Sequence, residues 1–356
     1  MNKKFSAVLV IFAAFAAAQS AVTSAVPNNF DMEKTRISTL LVDHEYPAAL
    51  EAAKALNKLV PDDVMVYGLL TDANIELGNY HDAEISAQWM LNLRPGNLPA
   101  LLRAARLREM FGDPEGAYEL MELACQSTAP TDTDQRPAII TQMAHFRRAT
   151  GNLDAADKLL QQTLTDFPGH APALAELAQL RIAQKRYQDA VVLLQQLAES
   201  STRPKNLYQL AEALQLAGRN AAASKVFQEF ETKALAESAH KDNSNRELIF
   251  YYADHVHQPA QALKLAYQEV AWRHDVYTLD AYAWALHVNG QDTQARQQVE
   301  TALAVGVRDP KLFLHAGAIA QTLRNIPAAE NYLKKSADLK GAESERARTL
   351  LASLRF

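Results

Sequence analysis

One cysteine, Cys125, stands among 356 residues, so no intrachain disulfide can form and stability rests on packing alone. A lone cysteine on an amphipathic segment is read as a small buried hydrophobe. A long apolar run is also missing. The longest, residues 7–18, has twelve residues, short of the roughly 20 that cross a bilayer. Base is not in excess: 36 Lys and Arg face 41 Asp and Glu, a net charge of −5. That argues against nucleic acid as a partner, because neutralising phosphates needs a basic face. Sustained alternation of Val, Ile or Thr with polar residues is absent, which excludes half-buried strands.

Recognisable chemistry is missing as well. The chain holds no Gly-rich phosphate loop with Lys, no G-x-S-x-G, no H-E-x-x-H and no paired C-x-x-C. The nearest approach to a metal set is Asp254, His255, His257 and His274, whose spacing is poor because helical residues two apart point away from each other. No catalytic residue, no metal and no cofactor is expected.

What the chain does have is alanine at nearly fixed intervals. Ala49, Ala83, Ala117, Ala156, Ala190, Ala223, Ala262, Ala295 and Ala329 follow one another at steps of 34, 34, 39, 34, 33, 39, 33 and 34. A period near 34 marks a two-helix unit that cannot bury its apolar face alone and stacks on its neighbours. With 48% hydrophobic residues, the reading is an all-α solenoid, one body extended along a single axis. Gly78, Gly112, Gly151, Gly218 and Gly290 fall five residues before an alanine, where a first helix must stop. Pro47, Pro114, Pro259 and Pro327 fall two or three before it, where proline suits the first turn of a second helix. The alanines, together with Ala105, Ala144, Ala178, Ala211, Ala283 and Gly317, let the two helices of a unit approach closely.

These residues, aligned in LGNYHDAEISAQWMLNLRPGN (77–97), TGNLDAADKLLQQTLTDFPGH (150–170) and NGQDTQARQQVETALAVGVRD (289–309), resemble the tetratricopeptide repeat family. The resemblance implies a right-handed superhelical solenoid of about nine helix-turn-helix units, near 30–63, 64–97, 98–131, 137–170, 171–203, 204–237, 243–275, 276–309 and 310–341. The family's Trp at position 4 is replaced by Tyr67, Leu101, Ile140, Leu174, Leu207, Leu279 and Phe313. The seventh unit departs most, with Phe250 where a small residue is expected and His257 where glycine is. Residues 342–356, with Leu350, Leu351 and Leu354 at helical spacing, are expected to cap the open end.

Two polar insertions, 127–136 and 236–245, carry the 39-residue steps. They are read either as lengthened loops or as flexible joints between blocks of three repeats. At the other end, Lys3 and Lys4, the apolar run and the small residues Ser20 to Ala25 have the three-part layout of a secretory signal peptide, 1–25, with cleavage after Ala25, sites near Ala18 to Ala21 as alternatives, and an uncleaved anchor as the competing reading. The solenoid then spans 26–356, exported to a periplasmic or extracellular location, with no stable membrane span after cleavage. Loss of Lys3 and Lys4 makes it more acidic still.

In the family the concave face is lined by positions 2, 5, 9, 12 and 13 of each first helix, and commonly holds a peptide. Carried onto this chain, those positions give Arg106, Glu109, His145 and Arg148 in the third and fourth units. In the seventh and eighth they give Glu247, Tyr251, Asp254, His255, Tyr277, Asp280, Trp284 and His287. The second set interleaves aromatic faces with carboxylates, as a groove for basic or apolar peptide anchors would. Glu247, Tyr251, Asp254, Tyr277, Asp280, Trp284 and His287 are therefore the candidate partner-binding residues. Tyr251, Tyr277 and Trp284 have an alternative place, packed between neighbouring repeats. Lys34 is followed at the matching place by Ser38 and not Asn, so the family's two-carboxylate clamp is not expected. The expected function is a non-catalytic scaffold or adaptor in a bacterial envelope, binding a protein or peptide of unknown identity. The alternative is a component of envelope assembly or polysaccharide export that holds a substrate, and an enzyme or sugar-binding module stands third.

Overall fold

The computed structural model describes residues 29–354 apart from 202, 241 and 242. The signal-peptide expectation falls outside the described residues. Within them the chain is helical throughout, with no strand. Helices pair in chain order: α1 (Asn29–Val42) with α2 (Tyr46–Leu59), α3 (Val64–Glu76) with α4 (Tyr80–Leu93), α5 (Leu98–Met110) with α6 (Pro114–Gln126). There follow α7 (Gln135–Ala149) with α8 (Leu153–Asp166), α9 (Ala171–Ala183) with α10 (Tyr187–Ser200), and α11 (Pro204–Leu216) with α12 (Asn220–Glu237). The last three pairs are α13 (Asn245–Phe250) with α14 (Pro259–Trp272), α15 (Val276–Val288) with α16 (Asp292–Ala304), and α17 (Pro310–Thr322) with α18 (Ile326–Asp338). α19 (Ser344–Ser353) caps the end, setting Ala347, Leu350, Leu351 and Leu354 against Leu314 and Leu333.

Close helix contact explains the alanine period. Each of the nine recurring alanines is at most 1% exposed, and a Cβ added at Gly317 would lie 2.6 Å from Leu333 Cγ. Turn conformation recurs with it. Gly78, Gly112, Gly151, Gly218 and Gly290 have positive φ, and in the remaining repeats His44, Lys185, His257 and Arg324 take the same left-handed conformation five residues before the alanine. The turn geometry is thus common to all nine repeats, whether or not glycine is present. A side chain in that conformation costs about 1–2 kcal/mol. Arg324→Gly, at an exposed turn, is expected to raise stability by about 1 kcal/mol after glycine's own entropy loss. Urea unfolding checks this, and an unchanged or lower midpoint would contradict it.

The two insertions are built differently. In the first, Arg136 donates to the Cys125 and Thr128 carbonyls at 3.1 and 3.4 Å, while Asp132 accepts from the Asp134 and Gln135 amides at 3.0 and 2.7 Å. The second is absorbed largely by α12, which runs 18 residues against 13 or 14 in the other second helices. In the seventh repeat, α13 passes into a π-helical turn, Tyr251–His255, directly after Phe250. Widened turns of this kind are frequent at functional sites.

Extension along one axis is not what the structure shows. The superhelix curls until its second and third repeats meet the segments leading into the eighth and ninth. The His274 amide donates to the Glu76 carbonyl at 3.1 Å and the Val276 amide to the Tyr80 hydroxyl at 3.0 Å. One buried apolar cluster joins Ile75, Tyr80, Leu107 and Met110 to Val276, Leu279, Val307 and Leu312. Glycine makes the seam fit: a Cβ on Gly112 would lie 2.4 Å from the Gly306 carbonyl oxygen, and one on Gly78 2.7 Å from that of His274. Across the opening, Lys185 reaches Glu345 of the cap at 2.5 Å. Repeats six apart in sequence therefore share a core, and the ring has an interior.

Candidate functional site

That interior is a cavity of about 670 Å3, walled by first helices from α3 to α17 and closed at one side by residues 339–343. First helices supply the wall because their concave positions recur with the repeat, so charged side chains from successive units stand side by side. Most are already paired. Arg106 donates to Glu76 at 2.7 Å, Arg246 lies 3.3 Å from Asp275, and Lys205 3.9 Å from Glu247. His145 Nε2 is 2.6 Å from Glu109, and Arg148 Nε donates to Glu176 at 2.5 Å.

Burial opposes charge on the His145 ring, yet Glu176 and Glu109 outweigh it and lift its pKa to about 9. Burial likewise opposes charge on Glu176, yet Arg148 and His145 hold it down at about 2. Three repeats are thus tied by a network that stays ionised at neutral pH. On the opposite wall burial wins. With help from Glu343 and Asp280 it pushes Asp309 up to about 6, against the bond that carboxylate accepts from the Leu312 amide, and it raises Glu212 as well.

The expected partner-binding residues divide. Glu247 and Tyr277 line the cavity, Tyr277 with 38% of its surface open. Asp280 reaches the wall but is buried, accepting from His315 Nδ1 at 2.8 Å. Trp284 is 3% exposed, stacked on His315 with centroids 4.2 Å apart, and its Nε1 donates to Asp254 at 3.2 Å. His287 lies against Trp284 and 2.5 Å from Asp292. Tyr251 is 3% exposed among Phe227, Phe230 and His255, its hydroxyl donating to Glu231 at 3.2 Å. Burial drives the His255 pKa down to about 4, so that ring is neutral inside the cluster. Of the two places open to the aromatics, Tyr251 and Trp284 take the one between repeats and Tyr277 takes the cavity.

The other set, Arg106, Glu109, His145 and Arg148, lines the same cavity from the facing side. Closure of the ring brings these four to one space with Glu247, Tyr277 and Asp280. Not singled out from the sequence were Lys205, Tyr208, Glu212 and Lys311, which also line it. They occupy concave positions of the sixth and ninth repeats, and the rule applied to four repeats would have found them in the others. Lys34, the residue tested for a carboxylate clamp, is ion-paired with Asp63. Among the described residues no cluster of His, Cys, Asp and Glu could hold a metal ion, and no helix is long and apolar enough to cross a membrane.

The tetratricopeptide repeat family model matches residues 147–201. Among solved structures, PilW, described as a widely conserved type IV pilus biogenesis factor, is similar at 15% identity and a TM-score of 0.50. The match covers 58% of this chain and 94% of that one. A human IFIT1 dimer with m7Gppp-AAAA is similar at 14% identity and a TM-score of 0.53, over 87% of this chain and 71% of that one. No curated protein sequence matches the chain. At these identities the likeness is one of fold: residues 147–201 match a tetratricopeptide repeat, and the whole described chain has the architecture of a tetratricopeptide solenoid.

Proposed function

We propose that the protein is a non-catalytic scaffold which seats one segment of a partner polypeptide in the ring's interior. The observation that carries this is the cavity itself, whose wall combines the open face of Tyr277 with charges of both signs. Such a wall recognises a peptide by exchanging paired groups for the peptide's own, with an aromatic anchor for an apolar side chain. Protein is favoured over nucleic acid because carboxylates already pair with Arg106, Arg148 and Arg246 of the wall, whereas a phosphate chain needs unneutralised base. The layout of residues 1–25 supports export, and so a periplasmic or extracellular place of work. Within that reading, a role in envelope assembly or polysaccharide export is the same hold applied to a substrate in transit.

Capture from a bacterial envelope fraction with the chain as bait tests the reading. Tyr277→Ala is expected to weaken capture by at least ~1 kcal/mol, about fivefold. Trp89→Ala, on the outer surface at 44% exposure, should leave it unchanged, and an RNA oligonucleotide should not compete. Loss of capture with Trp89→Ala but not with Tyr277→Ala would move the binding surface outside the ring.

A further inference from the structure

Within the cavity wall one side chain sits in a setting that its own helix does not favour. Lys311 is the second residue of α17, where a cation opposes the positive end of the helix dipole. What holds it is a cage built by other repeats. Its Nζ lies 4.6 Å from the centroid of Phe250 and 6.0 Å from that of Tyr208, within cation–π reach, and 3.8 Å from Glu212. The Glu343, Asp254 and Asp309 carboxylates add to the attraction from further off.

The cage has two further features. Phe250 is the bulky residue that interrupts the small-residue position of the seventh repeat, and the π-helical turn follows it directly. Lys311 and Glu212 also keep 28% and 35% of their side chains open to the cavity, so the ammonium reaches the cage from the cavity side and can leave by it. Two aromatic faces and a carboxylate lining a cavity are what a primary ammonium binds.

We propose that the Tyr208–Phe250–Glu212 cage is a primary-ammonium subsite of the cavity, filled in this state by the chain's own Lys311. An amine of a bound polypeptide takes the site by displacing that side chain. The inference rests on the scaffold reading and adds the chemistry of one anchor. An internal occupant holds the site at high effective concentration, so a free amine binds the intact protein weakly and selects against peptides that lack other contacts.

The test titrates the full chain and its Lys311→Ala variant with n-butylammonium chloride, against sodium chloride at equal ionic strength. The variant should bind saturably and at least tenfold more tightly than the unaltered chain, and its melting midpoint should rise with the amine. Adding Glu212→Gln should abolish the gain. Should the alanine variant fail to fold, Lys311→Ser shortens the side chain equally and gives the same readout. N-acetyl-lysine methylamide and glycine methylamide then separate the two sources of the amine, a side chain or a chain terminus, according to which shows the gain. No saturable gain in either shortened variant, or a gain that survives Glu212→Gln, overturns the subsite. Capture of a partner dependent on Tyr277 would stand in that case, which separates failure of the cage from failure of the cavity.

Discussion

Gly112→Ala is expected to destabilise the protein by about 1–3 kcal/mol more than Gly151→Ala does, and to open the ring. Both glycines have left-handed backbones, with φ of 77° and 83°, so both variants incur the roughly 1–2 kcal/mol of a side chain in that conformation. They differ in what a Cβ would meet. At Gly151 nothing lies within 4 Å, whereas at Gly112 the Gly306 carbonyl oxygen is 2.4 Å away. A backbone carbonyl between two packed repeats cannot swing aside as a flexible side chain does. Overpacking of this kind costs about 1–3 kcal/mol, and the seam relieves it by parting. Urea unfolding gives the difference, and small-angle scattering should show a larger radius of gyration for Gly112→Ala alone. Equal stability and equal dimensions for the two variants would mean that the seam is not closed in solution.

The second large effect concerns a carboxylate that position alone assigned to binding. Asp280 and His315 leave 6% and 2% of their side chains exposed and lie 2.8 Å apart, under a stacked Trp284. Removing one member of a buried polar pair strands the other, at a cost of about 3 kcal/mol. Asp280→Ala should therefore lower the melting midpoint markedly. Glu247→Ala, which loses only a long contact of 3.9 Å to a half-exposed Lys205, should stay within about 0.5 kcal/mol. Thermal denaturation of both variants decides it: equal midpoints would return Asp280 to the set of dispensable wall residues.

These two cases mark where sequence was sufficient and where it was not. The helix pairs were legible because their cause is local. A small residue is needed wherever two helices cross closely, and that need repeats with the unit, as Ala49 to Ala329 show. The stop signal was legible only in part. His44, Lys185, His257 and Arg324 adopt the glycine conformation without being glycine, and only their constant offset from alanine reveals them.

The cavity wall followed the same logic, since Arg106, His145, Glu247 and Tyr277 were placed by register and lie where register puts them. Depth was not legible. Whether a concave position faces solvent depends on the next first helix, and His315 from the ninth repeat covers Asp280 and Trp284 of the eighth. Closure of the ring was invisible for a plainer reason. It joins Ile75 and Tyr80 to Val276 and Val307, and nothing in a repeat's own pattern reports what lies six repeats away.

Spin labels at His81→Cys and His274→Cys, in a Cys125→Ser background, probe the closed ring most directly. Both positions are exposed, and they flank the seam where a Cβ on Gly78 would lie 3.5 Å from that of His274. A closed ring predicts strong dipolar broadening in the folded protein that disappears in urea. Spectra without broadening in the folded protein, equal to the sum of the two singly labelled chains, would contradict the closed ring and with it the enclosed site.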